Sequence, residues 1–382
     1  MDTLTLLEKL ITFDTTSWNP NRDLIDLLAG LLRGAGAEIT LIPDESGGKA
    51  NLYATLGPTD IPGVALSGHT DVVSVAGQDW TKTPFGMTRS GGRLYGRGTC
   101  DMKGFVAAAV AAACRAPTLK TPLHLAFSYD EEIGCIGVRS LIDKLAAAPI
   151  KPRFCIVGEP TSMQVATGHK GKIAARVICH GVEGHSALAP FATNAIYMAT
   201  DLIAVIRDIQ KQAEASGHRD DDYDVPYTTL HVGTVNAGTA LNIVPNRAEF
   251  LFEIRPVAED DPLALLADIR TAADRIVTRT GAAKAAIEIT PSANTYPGLA
   301  TAPDAEVVSF IKTLVDGANE TIKVAFGTEG GLFSGVADIP TVVCGPGAMA
   351  QAHKPDEFVH EDQLRRCDAM MDRLLERLAL GI

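Results

Sequence analysis

The sequence is short of positive charge, of paired cysteines and of long apolar runs, and each shortage argues against a class of function. Its 34 Lys and Arg stand against 46 Asp and Glu, a formal net charge of −12. Nucleic acids and anionic membrane surfaces are held mainly through clustered basic side chains, so neither is an expected partner, and the acidic excess serves solubility. The seven cysteines, Cys100, Cys114, Cys135, Cys155, Cys179, Cys344 and Cys367, are odd in number and form no Cys-x-x-Cys pair. That pattern fits a reducing compartment better than a disulfide framework. Cys100, beside Asp101, is either a reactive thiol or a small packing side chain. The longest apolar run, Phe105 to Cys114, is Ala-rich and far short of a bilayer span. Met1-Asp2-Thr3-Leu4 has no basic stretch followed by an apolar one, so no secretory signal is expected and the expected location is cytoplasmic. There is no internal repeat and no low-complexity segment.

With 382 residues, 46% of them hydrophobic and 21% charged, the chain has material for a large core and is expected to form two domains. Leu4, Leu7, Leu10 and Ile11 fall at helical spacing, as do apolar residues over 22–33. Short apolar runs at 63–67, 123–127 and 154–157 suit strands buried on both faces, and helical stretches at 102–115 and 136–147 separate them. Such alternation predicts an α/β fold: a mostly parallel sheet covered by helices. From Lys172 the pattern changes to strict alternation, as in Ile173, Ala175, Val177 and Cys179, and later Phe250, Phe252 and Ile254. One wet face follows, hence an antiparallel sheet, with helices expected at 192–215 and 262–280. The predicted division is 1–171 with 290–382 for an α/β catalytic domain, and 172–289 for an inserted α+β lid or dimerisation domain.

Acidic and imidazole side chains gather where the buried runs end. His69 and Asp71 follow the first run, Glu131 and Glu132 the second and Glu159 the third, while Asp101 opens a helix and His353 lies in Gln351-Ala-His-Lys-Pro355. Ligands of open α/β sheets bind beyond the carboxyl ends of the strands, so these distant residues are expected to converge. Two imidazoles and several carboxylates suit two zinc ions sharing one carboxylate. Neighbouring side chains on an extended segment point apart, so one of Glu131 and Glu132 can ligate while the other takes a proton as general base. Asp71 is placed to accept the second imidazole N–H of His69. Taken singly, a His-x-Asp or a Glu-Glu pair is more often a solvated loop or a helix cap; the joint placement points to a metal site.

Four motifs carry a resemblance: Ser67-Gly-His-Thr-Asp-Val-Val73, Gly96-Arg-Gly-Thr-Cys-Asp-Met-Lys-Gly104, Asp130-Glu-Glu-Ile-Gly134 and Gly158-Glu-Pro-Thr161. In order and nearly end to end, the chain resembles the zinc amidohydrolase family that includes acetylornithine deacetylase, succinyl-diaminopimelate desuccinylase and glutamate carboxypeptidase. The resemblance implies two Zn2+ per subunit, with Co2+ able to substitute. It implies that His69 and Glu159 bind one ion, Glu132 and His353 the other, that Asp101 bridges them, that Glu131 is the base and that Asp71 orients His69. A cis peptide after Asp101 is also implied. In the inserted domain, Gly184-His-Ser-Ala187 resembles the segment whose His reaches the partner subunit's site, which makes His185 either that catalytic residue or a structural turn His. Asn242 and Arg255 match substrate contacts, Arg255 facing an α-carboxylate or standing as an exposed strand residue. Gly327 and Thr328 resemble pocket-lining donors, and Trp80 a loop near the metals. A homodimer through the inserted domain is expected.

The substrate class implied is a small N-acyl amino acid, with N-acetyl-L-ornithine, of arginine biosynthesis, expected first. Lys170, in Gly168-His-Lys-Gly171, stands where desuccinylases carry Arg, and Glu329 stands where the deacetylases have Glu, facing an ornithine ammonium. Each has a plainer alternative, a lid-surface charge and a loop acid. A desuccinylase, aminoacylase or dipeptidase is the alternative of the same class, and a non-catalytic metal-stabilised scaffold the remote one.

Overall fold

Four apolar runs, Val64–His69, Leu123–Ser128, Phe154–Pro160 and Thr341–Gly345, become strands buried along their whole length. In the computed structural model of the protein, which describes residues 1–317 and 320–382, they lie parallel in the spatial order Leu123–Ser128, Val64–His69, Phe154–Pro160, Thr341–Gly345. Antiparallel strands extend both sides: Ala50–Leu56 and Glu38–Pro43 on one, Val165–His169 on the other. The whole is an α/β sheet of nine strands among the described residues.

The chain separates into two units, Met1–His169 with Leu299–Ile382, and Lys170–Gly298. The first contains this sheet. Its helix Lys103–Cys114 is buried almost all round, which its six alanines allow by letting neighbours approach closely, and it packs against helices Thr3–Ile11 and Glu361–Leu380. Gly158 shows how tight the fit is: a Cβ there would fall 2.0 Å from the Phe105 ring, so glycine lets the strand carrying Glu159 lie against the helix that follows Asp101. A separate three-stranded antiparallel sheet joins Thr88–Ser90, Arg93–Tyr95 and Phe358–His360.

The second unit has a four-stranded antiparallel sheet in the order Thr229–Ala237, Arg247–Arg255, Ile173–His180, Ala286–Pro291. Helices Ala195–Ser216 and Pro262–Thr280 bury Met198, Leu202, Ile206, Leu266, Ile269 and Ile276 in its core with Val177, Phe250, Phe252 and Ile254. Each such side chain contributes roughly 1.5–3 kcal/mol. Pairing of Pro291 with Ala175 carries this sheet past residue 289.

Two helices start later than periodicity suggests. The stretch expected from Ile136 becomes helical only at Arg139, because Asp130 and Cys135 take left-handed conformations (φ 56° and 54°) and the Cys135 amide turns back onto the Glu131 carbonyl at 2.8 Å. The stretch expected from Ala192 starts at Ala195, where the Asn194 side chain accepts the Ile196 N–H at 2.8 Å, a favourable N-cap.

Candidate metal centre

The register of the parallel strands sets the first ligand. His69 ends its strand opposite Ser128, and Glu131 and Glu132 lie three and four positions beyond Ser128, the neighbouring strand's last residue. Glu159 lies at the end of the next strand, Asp101 in the turn before the buried helix, and His353 in the loop after Thr341–Gly345. The peptide bond after Asp101 is cis. All six residues expected to hold metal or move a proton, and Asp71 with them, belong to the first unit.

Asp101 stands between the two imidazoles. Its Oδ1 is 2.9 Å from His69 Nε2 and its Oδ2 is 3.1 Å from His353 Nε2, so one carboxylate offers an oxygen to each side. His353 Nε2 is also 3.1 Å from Glu132 Oε2, and His69 Nε2 is 3.7 Å from Glu159 Oε1. Donor atoms of His69, Glu131 and Glu159 lie within 4.8 Å of one another, as do those of His69, Asp101 and Glu132. The expected ligands are thus brought together, and Glu131 joins the His69 side.

Charge balance tests whether cations fit here. Burial raises Glu131 and Glu159 well above the usual carboxylate range, with Asp101's charge adding to it at Glu159 and Glu132's at Glu131. Burial, then Asp101, pushes Glu132 up to about 7. For His69, burial disfavours the imidazolium, yet Asp101 and Asp71 outweigh it and carry the pKa well above normal; Asp101 and Glu132 bring His353 to about 10. Four crowded carboxyl groups therefore draw on any positive charge within reach, and divalent ions would satisfy them directly. Oxygen and imidazole donors without thiolates suit zinc or cobalt.

Asp71 orients its neighbours differently from the expectation. The close partner of His69 Nδ1 is the Asp71 carbonyl oxygen at 2.9 Å, and the carboxylate oxygen is 3.6 Å away. The carboxylate instead accepts Ser17 Oγ–H at 2.7 Å and the amides of Glu131 and Glu132 at 3.1 and 3.3 Å, fixing the adjacent Glu pair. Cys135 donates its thiol to Glu131 Oε1 at 3.3 Å. Only the fold brings Ser17 to Asp71, and Cys135 reaches Glu131 through a local left-handed turn that apolar spacing does not encode.

Of the other candidates in this unit, Gly327 is half-buried and Thr328 is buried, its Oγ1 accepting the Gly330 N–H at 2.9 Å. Glu329 is 1% exposed, and its two oxygens accept the hydroxyls of Ser67 and Ser128. Cys100 is buried, its Sγ 3.4 Å from the Ala348 carbonyl, and burial with the charges of Glu357 and Asp101 pushes the thiol well up. It is a packing side chain, and the reactive alternative falls. Trp80 lies over the Arg97 guanidinium, 5.0 Å from ring centroid to Cζ.

In the second unit, the short pairing of Gly184–His185 with Ile243–Val244 brings His185 beside the segment of Asn242, whose carbonyl accepts the Ser186 N–H at 3.1 Å. Both side chains are exposed. Lys170 donates to the Tyr227 carbonyl at 2.6 Å, and Arg255 donates to Tyr296 Oη at 2.8 Å and to Glu253 at 3.1 Å.

The sequence profile of peptidase family M20/M25/M40 matches residues 65–377. The chain belongs to this family. The family is one of metallohydrolases, and the protein is a metal-dependent hydrolase of it. Curated M20 relatives include the acetylornithine deacetylase of Myxococcus xanthus, 34% identical over 98% of this chain and 97% of that one. The acetylornithine deacetylase of Proteus mirabilis is 32% identical over 96% and 93%. Among solved structures, a tripeptidase from Staphylococcus aureus superposes with TM-score 0.78 at 19% identity, covering 99% of this chain and 98% of that one. A dinuclear metal-binding M20 peptidase from Bacillus subtilis gives TM-score 0.70 at 16% identity, covering 100% and 98%. These two likenesses concern the fold. Among the described residues, no helix is long and apolar enough to cross a membrane.

Proposed function

We propose that the protein is a cytoplasmic, dinuclear-metal amidohydrolase that removes the acyl group of an N-acyl amino acid, with N-acetyl-L-ornithine as substrate and L-ornithine and acetate as products. The observation that carries the reading is the Asp101 carboxylate set between His69 and His353, with Glu159 and Glu132 beside them and Glu131 left over as a base. His69 and Glu159 would hold one ion, Glu132 and His353 the other, and Asp101 both. The substrate and its place in arginine biosynthesis are supported by the names of the deacetylase relatives and by Lys170. The location is supported by seven free cysteines.

Zinc, or cobalt in its place, supplies Lewis acidity: it polarises the scissile carbonyl and acidifies water at the site. Glu131 takes the proton that water loses as its oxygen bonds to the carbonyl carbon. When the C–N bond breaks, Glu131 returns that proton to the leaving amine nitrogen. Arg255 would bind the α-carboxylate through paired N–H donors, and Lys170, Gly327 and Thr328 are the further candidates for substrate contact. His185 and Asn242 would act on the site of a second subunit, His185 by polarising the carbonyl oxygen. Glu329, which accepts one hydroxyl on each oxygen from Ser67 and Ser128, would use its remaining lone pairs for the ornithine ammonium.

The test is a substrate panel on protein loaded with zinc and, separately, with cobalt: N-acetylornithine, N-acetylated neutral amino acids, N-succinyl-diaminopimelate and dipeptides. N-Acetylornithine should give the highest kcat/KM. If it proved the poorest of the panel, the substrate assignment would be overturned while the amidohydrolase class stood.

A further inference from the structure

The small antiparallel sheet near the metal centre does more than close an edge. Pairing of Tyr95 with Phe358 sets Gly96 beside Glu357, and the Gly96 amide donates to the Glu357 carbonyl at 2.9 Å. The Glu357 side chain then turns under the loop that ends at Asp101. Its Oε1 accepts the backbone N–H groups of Gly98, Cys100 and Asp101 at 3.1, 2.9 and 3.1 Å. Its Oε2 accepts Arg97 Nη1 at 2.6 Å, and both side chains are 1% exposed. A buried carboxylate with four donors holds the backbone of a loop far more firmly than turn propensity does.

Arg97 carries the connection onward. Its Nη2 donates to Gln78 Oε1 at 2.6 Å, and Gln78 Nε2 donates to the His353 carbonyl at 3.1 Å. His353 has a φ of 61°, a left-handed conformation costly for a side chain with a Cβ, so its backbone needs an external hold. A second tie lies alongside, where Asp356 accepts the amides of Thr81 and Lys82 at 2.9 and 3.1 Å. One continuous set of hydrogen bonds therefore runs from the backbone of Asp101 to the backbone of His353, whose side chains meet at 3.1 Å.

We propose that Glu357, Arg97 and Gln78 are positioning residues that set the spacing of Asp101 and His353, and so tune the metal position those two share with Glu132. The proposal rests on the two-metal reading above. None of the three touches a donor atom; they act through the main chain of residues that do.

Metal-free protein titrated with cobalt(II), followed by calorimetry and visible absorption, tests this. Wild type should take up two equivalents. Glu357→Gln keeps the shape but puts an amide against Arg97 or the loop N–H groups. It should bind the second equivalent about tenfold or more weakly, with an altered cobalt spectrum, a smaller effect on the first equivalent, and a fall in kcat larger than any change in KM. Gln78→Ala, at a half-buried position, should show the same effects in weaker form with its unfolding transition intact. If Glu357→Gln does not fold, Gln78→Ala decides alone. Wild-type affinity and spectrum for the second equivalent in Gln78→Ala, or in folded Glu357→Gln, would overturn the positioning role. A wild-type protein that takes up fewer than two equivalents would instead overturn the two-metal reading itself.

Discussion

His124 lies in the strand Leu123–Ser128 with its ring stacked on Tyr53, centroids 5.4 Å apart, and its Nδ1 3.0 Å from Thr55 Oγ1. Burial lowers its pKa from 6.5 to about 4. The folded protein thus declines a proton that the unfolded chain accepts, and stability is lost as pH falls through that window. Between about pH 7 and pH 5 the loss from this residue should be about 2 kcal/mol. In urea unfolding of the metal-free protein, His124→Asn should lack that part of the pH dependence; equal losses in variant and wild type would contradict the assignment. His124 also marks what residue-level reading could reach. His69, Glu131, Glu132 and Glu159 were legible because the fold class says where strand ends go, whereas Asp101 at a helix start and His353 in a loop were legible through the motifs around them. Partners recruited from 50 to several hundred positions away were not: Ser17 for Asp71, Ser67 and Ser128 for Glu329, Glu357 for the Asp101 loop. The serine partners of Glu329 went unread for that reason, since nothing local in the sequence shows which hydroxyls a buried acid will meet.

At the scale of elements, legibility followed periodicity. The fully buried strands and the alternating ones are where their patterns place them, because burial on two faces or one leaves different sequences. Boundaries depended on details that periodicity does not carry. Asn194 caps a helix that apolar spacing alone would begin earlier, and the left-handed Cys135 delays another. That delay has a functional consequence: the turn at 130–136 replaces a first helical turn and lets Asp71 reach the amides of both Glu131 and Glu132. The short strands Arg93–Tyr95 and Phe358–His360 gave no clear signal, yet they bring Glu357 to Arg97.

For the whole molecule, the second unit exposes a set of apolar side chains on neighbouring segments: Leu188 at 58%, Phe191 at 88%, Leu241 at 101% and Ile243 at 44%. Scattered apolar residues need no explanation, but a group of this kind, on the segments that also carry His185 and Asn242, suits an interface between two copies of the chain. The proposed dimer would cover these residues and deliver both polar side chains to the partner's site. Wild type should sediment as a dimer. A Phe191→Asp, Leu241→Asp double variant should sediment as a monomer and lose about a hundredfold or more in turnover, as expected when an oxyanion-polarising group is removed, with its metal content kept. A fully active monomer at assay concentration would contradict the shared site.

At the heart of the proposed chemistry is a metal site in which Glu131 moves the proton and the other carboxylates hold the ions. Glu131→Gln, with its metal content and its steady-state kinetics measured on the same preparation, separates these two roles. The variant should hold two ions, with an almost unchanged KM and a kcat lowered by about a hundredfold to ten-thousandfold, the range for loss of a general base. Near wild-type turnover with both ions bound would contradict the role of Glu131.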